Sequence, residues 1–358
     1  MQSEFFMQAV ETRKSLMGHL ATTIMDAHAA NFWLQKVNPL WSVDQALGRI
    51  THKKIAAHDM VSLTLEVNRH FKMGQAGQHH PVIVNIKGCR YERTYSLTRQ
   101  DDTHVILNVK KVDQGIVSTW LNDQTKIGDL IEFGQPYGEM SLMQEQHPLV
   151  LVAAGSGITP MYSLLKAHLK ILQQPITLLY WVKKHEDAAF QQEFQQWATE
   201  YPHFQFKLFF TQDSEADARL NSAHVQALPS IEQSVVYACG PSGFVNTAKT
   251  VFAKAKTFNS EAFSLTPMIS DEIGFVTVTL AKSKQTVQIP RGQSILTSLE
   301  QHNIQPTHGC RMGICNKCVC NKVQGATKNL LNGSENTEPQ HVLKICINSA
   351  QSDLVIDL

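Results

Sequence analysis

Four cysteines carry the strongest chemical signal in the chain. Cys310-x4-Cys315-x2-Cys318 places three thiols within nine residues, and Cys346 follows Cys318 by twenty-eight positions. One tight loop can then bring three thiolates to a two-iron, two-sulfide rhomb while a distant segment supplies the fourth, and 2Fe–2S clusters use this spacing. Gly309 and Gly313 give the loop backbone freedom where amides must approach cluster sulfides. Arg311 and the loop amides would set positive charge against an anionic cluster. A structural zinc site is the alternative. Zinc usually shows paired Cys-x2-Cys knuckles, however, and only Cys315 and Cys318 are so spaced. Cys320 lies two positions past a ligand in a strand-like Val319-Cys320-Asn321 and is left out of the ligand set. Of the seven cysteines, five crowd between Cys310 and Cys346 while Cys89 and Cys239 stand alone, which makes a poor disulfide framework.

A second constellation is Arg93-Thr94-Tyr95-Ser96. A flavin needs an aromatic against its ring, a hydroxyl near N5 and a cation for its phosphate. On an extended strand Arg93 and Tyr95 share a face, with Ser96 at the rim. Taken alone, an ordinary strand ending in Tyr-Ser reads equally well. Gly115-Ile116-Val117-Ser118 then opens a helical segment whose amides and hydroxyls can hold a pyrophosphate. Further on, the apolar run 149–153 enters Gly155-Ser156-Gly157-Ile158-Thr159-Pro160, the strand–glycine–helix context in which bare backbone meets a dinucleotide. The third glycine of the full fingerprint is missing, so a ligand-free βα turn stays open. Cys239-Gly240-Pro241 closes the last apolar strand, at the carboxyl edge where open α/β sheets bind ligands.

These residues need elements to hold them. The chain has 358 residues, 43% hydrophobic and 18% charged, enough for two or three domains. Basic and acidic side chains number 32 and 31, which speaks against a nucleic-acid partner. Residues 1–48 read as a helical extension, with Phe6, Val10, Leu16, Met17, Leu20, Ile24 and Met25 on one face. Residues 49–143 alternate in short segments, as in an antiparallel barrel. Residues 144–263 carry near-continuous apolar runs separated by helical stretches, which implies a parallel sheet. A polar linker at 264–271 precedes a β-rich module at 272–358. No apolar run reaches the ~18–20 residues of a membrane span, and the amino terminus lacks a signal-peptide pattern. The expectation is a cytoplasmic protein.

The carboxyl-terminal module resembles a plant-type ferredoxin over about ninety residues, although residues 270–358 carry eight Lys/Arg against seven Asp/Glu and so are not acidic. Arg-x-Tyr-Ser, Gly-x-x-Ser, Gly-x-Gly-Ile-Thr-Pro and Cys-Gly-Pro, in this order ahead of that module, resemble the ferredoxin–NADP reductase superfamily over about residues 50–358. The layout is similar to reductase components of bacterial oxygenases and acyl-CoA desaturases. The resemblance implies a multidomain flavoprotein oxidoreductase: an antiparallel flavin-binding barrel, a parallel α/β nicotinamide domain and a β-grasp-like ferredoxin domain behind the helical extension. It implies that Arg93, Tyr95 and Ser96 hold the flavin, while Lys110, Gly115, Val117 and Ser118 line its ribityl chain and pyrophosphate. Gly155, Gly157, Thr159, Pro160, Cys239, Gly240 and Pro241 would meet the nicotinamide nucleotide. Glu261-Ala262-Phe263 resembles the family's Glu-x-Phe element beside the flavin ring. The Gly-x-x-Ser step favours FAD over FMN. Lys183-Lys184 after the second apolar strand, with Arg219 beyond the next, favours NADPH over NADH.

The implied route is electron transport from NADPH to FAD to the 2Fe–2S cluster, held by Cys310, Cys315, Cys318 and Cys346, and then to an external acceptor. Val37-Asn38-Pro39-Leu40-Trp41 is similar to a segment in reductases that serve fatty acyl-CoA desaturases. That points to fatty acid desaturation, with residues 1–48 touching the inner face of a membrane. Packing of this segment on the flavin domain, or on a second copy, is the plainer reading. A soluble ring-hydroxylating oxygenase is the alternative acceptor. A redox-sensing regulator is a third reading, unsupported by any basic stripe.

Overall fold

The computed structural model describes residues 27–358 except 114, 139, 141, 143–145, 213–217, 229 and 265–273. The apolar face Phe6–Met25 and most of the linker at 264–271 therefore lie outside the described residues. Helix α1 spans Ala27–Val37. It ends just before Pro39, and strand β1 begins at Leu47.

α1 is attached by its polar side. Asn31 is buried; its Oδ1 accepts from Ser42 Oγ (3.1 Å) and the Val43 amide (2.8 Å), and its Nδ2 donates to Asp44 (3.1 Å). Asn68, just past the second strand, donates to the carbonyls of Leu40 (3.1 Å) and Gln45 (2.9 Å). The apolar side chains face outward, with Phe32 55%, Trp33 63%, Val37 73% and Trp41 52% exposed. No helix among the described residues is long and apolar enough to cross a membrane.

Strands β1 (Leu47–Ala57), β2 (Met60–Val67), β3 (His79–Ile86), β4 (Cys89–Arg99), β5 (His104–Lys110) and β6 (Leu130–Phe133) close an antiparallel barrel in the order β1-β2-β5-β4-β3-β6. Alternation sends Ile50, Leu63, Leu65, Val82, Leu107 and Ile131 inward, and closure leaves no unpaired edge. Helix α2 (Ile116–Thr119) follows β5. His80 on β3 is fully buried, stacks on Phe71 and accepts from the Gly74 amide at 3.0 Å. Burial, with His79 beside it, lowers its pKa from 6.5 to about 4. The unfolded chain therefore binds the extra proton first. The neutral His80 contribution is complete above pH 6.5 and is lost as pH falls toward 4, a loss of about 3 kcal/mol. Urea unfolding of the barrel should weaken by about this amount between pH 7 and pH 4, and His80→Gln should flatten that part of the slope.

The second domain is a parallel sheet in the order β11-β10-β7-β8-β9, formed by β7 (Leu149–Ala154), β8 (Ile176–Val182), β9 (Phe204–Phe210), β10 (Val235–Pro241) and β11 (Thr257–Ser264). Both faces are covered, which explains the continuous apolar runs. Leu149 and Leu151 join one core with α3 (Ile158–His168) and α4 (Gln191–Glu200), while Val150 and Val152 join another that includes α6 (Ser242–Val251). A short α5 (Ser222–Gln226) precedes β10.

In the third domain β12 (Phe275–Leu280), β13 (Gln285–Pro290), β14 (Val319–Gln324), β17 (His341–Lys344) and β19 (Leu354–Ile356) form a mixed sheet in the order β13-β12-β19-β14-β17. The central pair β12/β19 is parallel and its neighbours are antiparallel, a β-grasp arrangement. Helix α7 (Ile295–Gln301), capped by Ser294 Oγ on the Thr297 amide, packs Ile295, Leu296 and Leu299 into the core. β15 (Thr327–Asn329), β16 (Glu335–Asn336) and β18 (Asn348–Ala350) make a small side sheet.

Candidate redox site

The four cysteines arrive as two pairs. The thiols of Cys310 and Cys315 hydrogen-bond one another, and Cys318 Sγ lies 3.0 Å from Cys346 Sγ. Two thiols on each side of a common centre suit two irons with two protein ligands each. Backbone amides already point at sulfur: Met312 N and Cys315 N approach Cys310 Sγ at 3.4 and 3.3 Å, and Cys310 N approaches Cys315 Sγ at 3.3 Å. The Cys310 thiol is held low by Cys315 and Cys318 is held low by Cys346, so each pair readily yields a thiolate ligand. The loop accommodates this with left-handed backbone at Arg311 (φ 59°), Gly313 (φ 75°) and Asn316 (φ 58°). At Gly313 a Cβ would stand 2.5 Å from Ile347 Cδ1. Cys320 is buried in the domain core on β14, and burial pushes its thiol up to about 12. One expectation is corrected. Arg311 does not direct a free charge at the cluster, because it forms a double ion pair with Glu300 of α7 and also touches His308.

The cluster loop faces a cleft of about 920 Å³ whose opposite wall is the barrel. Arg93, Tyr95, Gly115, Val117, Ser118 and Phe263 line it together with Cys310 and Cys346. Burial keeps the Tyr95 phenol above the usual tyrosine range and so neutral. Ser118 Oγ accepts from the Val112 amide (3.1 Å) and shapes the turn. A Cβ on Gly115 would meet that oxygen at 2.4 Å, so only glycine fits. Tyr137, which sequence reasoning overlooked, spans the two walls: its hydroxyl bonds Thr94 Oγ1 at 2.7 Å and is within hydrogen-bonding reach of Cys310. Lys110 stands apart from these cleft residues. Its amine is 3.8 Å from where a Gly155 Cβ would be, at the turn leaving β7.

The carboxyl edge of the parallel sheet supplies the other half. Gly155 adopts φ 53°, and a Cβ on Gly157 would fall 2.1 Å from the Cys239 carbonyl. The ends of β7 and β10 can only touch with glycine there. Thr159 Oγ1 donates to Ser156 O at 3.1 Å in the first turn of α3, next to Pro160. Cys239, Gly240 and Pro241 end β10, and pairing sets Cys239 opposite Glu261 on β11. The Cys239 thiol is fully buried and pushed well up by burial and by the Glu261 carboxylate, so it is a neutral side chain rather than a nucleophile. Glu261 Oε2 lies 2.7 Å from His79 Nε2, and His79 Nδ1 lies 3.3 Å from Ser96 Oγ. Phe263 packs edge-on to His79 at 5.9 Å. A Ser96–His79–Glu261 chain thus joins three strands. His79 was not foreseen, and the only local sign of it is a His-His pair opening a strand. Lys183 and Lys184 follow β8 at the same sheet edge. Both are exposed, with Lys184 3.9 Å from Glu186.

Three domain families match along the chain: the oxidoreductase FAD-binding domain over residues 48–142, the oxidoreductase NAD-binding domain over 151–250 and the 2Fe-2S iron-sulfur cluster binding domain over 278–347. The chain belongs to the ferredoxin–NADP reductase superfamily. It is a flavin and iron–sulfur NAD(P)H oxidoreductase with a carboxyl-terminal 2Fe–2S domain. The reductase is 29% identical to an NADPH oxidoreductase of Mycobacterium tuberculosis, over 91% of this chain and 88% of that one. It is 26% identical to a tetrachlorobenzoquinone reductase of Sphingobium chlorophenolicum, over 90% and 99%. Among solved structures, phthalate dioxygenase reductase superposes with a TM-score of 0.64 at 26% identity, covering 88% of this chain and 98% of that one. FAD, a nicotinamide nucleotide and a 2Fe–2S cluster are therefore the reductase's cofactors, and the thiol pairs, their amides and the glycine turns fit them.

Proposed function

We propose that this reductase oxidises NADPH and delivers electrons through FAD and its 2Fe–2S cluster to a membrane-bound fatty acyl-CoA desaturase. When bound, FAD takes two electrons as a hydride and releases them singly, matching a nicotinamide to a one-electron cluster. The chain's own residues orient and insulate. Tyr95 and Arg93 would seat the isoalloxazine and its phosphate, and Gly115, Val117 and Ser118 would shape the pyrophosphate turn. Thr159, Pro160 and the Cys239-Gly240-Pro241 edge would face the nicotinamide, Lys110 would approach through the Gly155 turn, and Phe263 would close the site. Ser96 Oγ, His79 and Glu261 form a path along which a proton can leave the buried site. Cys310, Cys315, Cys318 and Cys346 would ligate the cluster. The exposed lysines Lys183 and Lys184, with Arg219, favour the 2′-phosphate of NADPH.

The observation that carries the acceptor assignment is the outward apolar face Phe32, Trp33, Val37 and Trp41 on and after α1, chemistry suited to a lipid interface. A multicomponent ring-hydroxylating oxygenase is the second reading, favoured by the likeness to phthalate dioxygenase reductase. The test is NADPH-dependent desaturation of stearoyl-CoA by membranes from the protein's own source, stripped of reductase. Wild-type protein should restore it. Replacing Phe32, Trp33, Val37 and Trp41 by Ser should raise the concentration needed at least about tenfold while leaving cytochrome c reduction unchanged. Burying even one such side chain is worth about 1.5–3 kcal/mol. No desaturation, with FAD and cluster reduced normally, would overturn the desaturase and favour the oxygenase.

A further inference from the structure

The barrel and the cluster domain meet across the cleft, and among the described residues one ion pair joins them. Lys317 lies in the cluster loop between the ligands Cys315 and Cys318, and its Nζ contacts both carboxylate oxygens of Glu92, 2.6 Å from Oε1. Glu92 precedes Arg93 on β4, so 225 positions of sequence separate the partners. The same carboxylate packs on the loop backbone: a Cβ on Gly309 would stand 2.9 Å from Glu92 Oε1 and 3.0 Å from Cys315 Sγ. Glu92 thus touches the loop on both sides of the cluster position. Arg93 on one wall and Arg311 on the other are near enough that Arg311, after burial, disfavours the Arg93 cation. Glu300 is committed to Arg311 within the cluster domain. Arg93 thus faces both the Arg311 cation and its Glu300 partner, and Lys317–Glu92 is, among the described residues, the ion pair that ties the two walls, alongside the Tyr137 hydroxyl at Cys310.

We propose that Lys317–Glu92 is an electrostatic latch that seats the cluster domain on the flavin wall and sets the rate of the internal electron step. The step itself moves one electron at a time from flavin to cluster, with the proton left to the barrel side. Lys317 and Glu92 touch neither electron nor proton and act as positioning residues. Lys317 is 42% exposed and Glu92 16%, so solvent and salt weaken the pair. A latch of this strength opens readily and closes again, and its effect fades with ionic strength. Whichever external acceptor the reductase serves, this inference stands, because it concerns only transfer within the chain.

The experiment uses the fully loaded protein, mixed anaerobically with NADPH while flavin and cluster absorbance are followed separately. Small-angle scattering on the same samples gives the radius of gyration. At low salt, Glu92→Lys and Lys317→Glu should each slow cluster reduction at least about tenfold, enlarge the radius of gyration and leave hydride transfer to the flavin unchanged. The double exchange E92K/K317E should restore both readings. Wild-type cluster reduction should slow on raising salt to about 0.5 M, where the Debye length is a few ångströms, while Glu92→Gln, which has no charge pair to screen, should respond little. Should Lys317→Glu lose iron, Glu92→Gln, on a strand with no cluster ligand, carries the test alone. Wild-type rates and dimensions in the Glu92 variants, or failure of the double exchange to restore them with cluster content intact, would overturn the latch.

Discussion

Cys346→Ser should leave a protein that still binds FAD and passes electrons from NADPH to ferricyanide but no longer reduces cytochrome c. Cys346 is almost fully buried and stands 3.0 Å from Cys318 Sγ, so it closes the second thiol pair. A serine oxygen is shorter, harder and far less readily ionised than a thiol, which leaves one iron with a single good protein ligand. Outer-shell changes at metal sites already cost 10–100-fold. Loss of a ligand should therefore lower cluster content and cytochrome c reduction by at least about a hundredfold. The barrel and the parallel sheet do not use Cys346, so hydride transfer to FAD should stay within about twofold. Iron and sulfide analysis, the visible spectrum and the two acceptor assays give the answer together. Persistent cytochrome c reduction in protein shown to lack iron would mean that the flavin passes electrons outward directly, and the cluster would lose its place in the route.

The second large effect is expected at His79. Its ring is buried, held between Ser96 Oγ at 3.3 Å and Glu261 Oε2 at 2.7 Å. Glu261 is the partly exposed end of this path. His79→Gln keeps a side chain that hydrogen-bonds both neighbours but cannot both take and give a proton. Loss of positioned acid–base transfer typically costs about 10²–10⁴-fold. Because a hydride arrives without needing that path, the first step with NADPH should be nearly unaffected. Delivery to the cluster, which leaves a proton behind, should slow by about a hundredfold and show an altered solvent isotope effect. Equal slowing of both steps would point instead to a displaced flavin, and no slowing of either would remove His79 from the proton path.

The parts of this site that were legible in the sequence are those where chemistry acts over a short stretch of chain. Cluster geometry dictates Cys310-x4-Cys315-x2-Cys318 within one loop, and burial on both faces writes Leu149–Ala153 and Ile176–Val182 as apolar runs. β1 escaped notice because Thr51-His52-Lys53-Lys54 is polar on both faces of the strand, so no apolar alternation shows there. His79, Tyr137 and Lys317 were missed for another reason. Each acts on a partner brought close only by the fold: Glu261 is 182 positions from His79, and Glu92 is 225 from Lys317. Arg311 shows the converse. Its place beside a ligand suggested a charge for the cluster, and α7 neutralises it with Glu300.

The way α1 is mounted has a consequence for substitution. Amide side chains fasten it and its aromatic residues carry none of the fold's weight, so those residues can be exchanged without repacking the barrel. Changes at these few exposed positions would leave the barrel, and the electron-carrying apparatus behind it, without any need to repack.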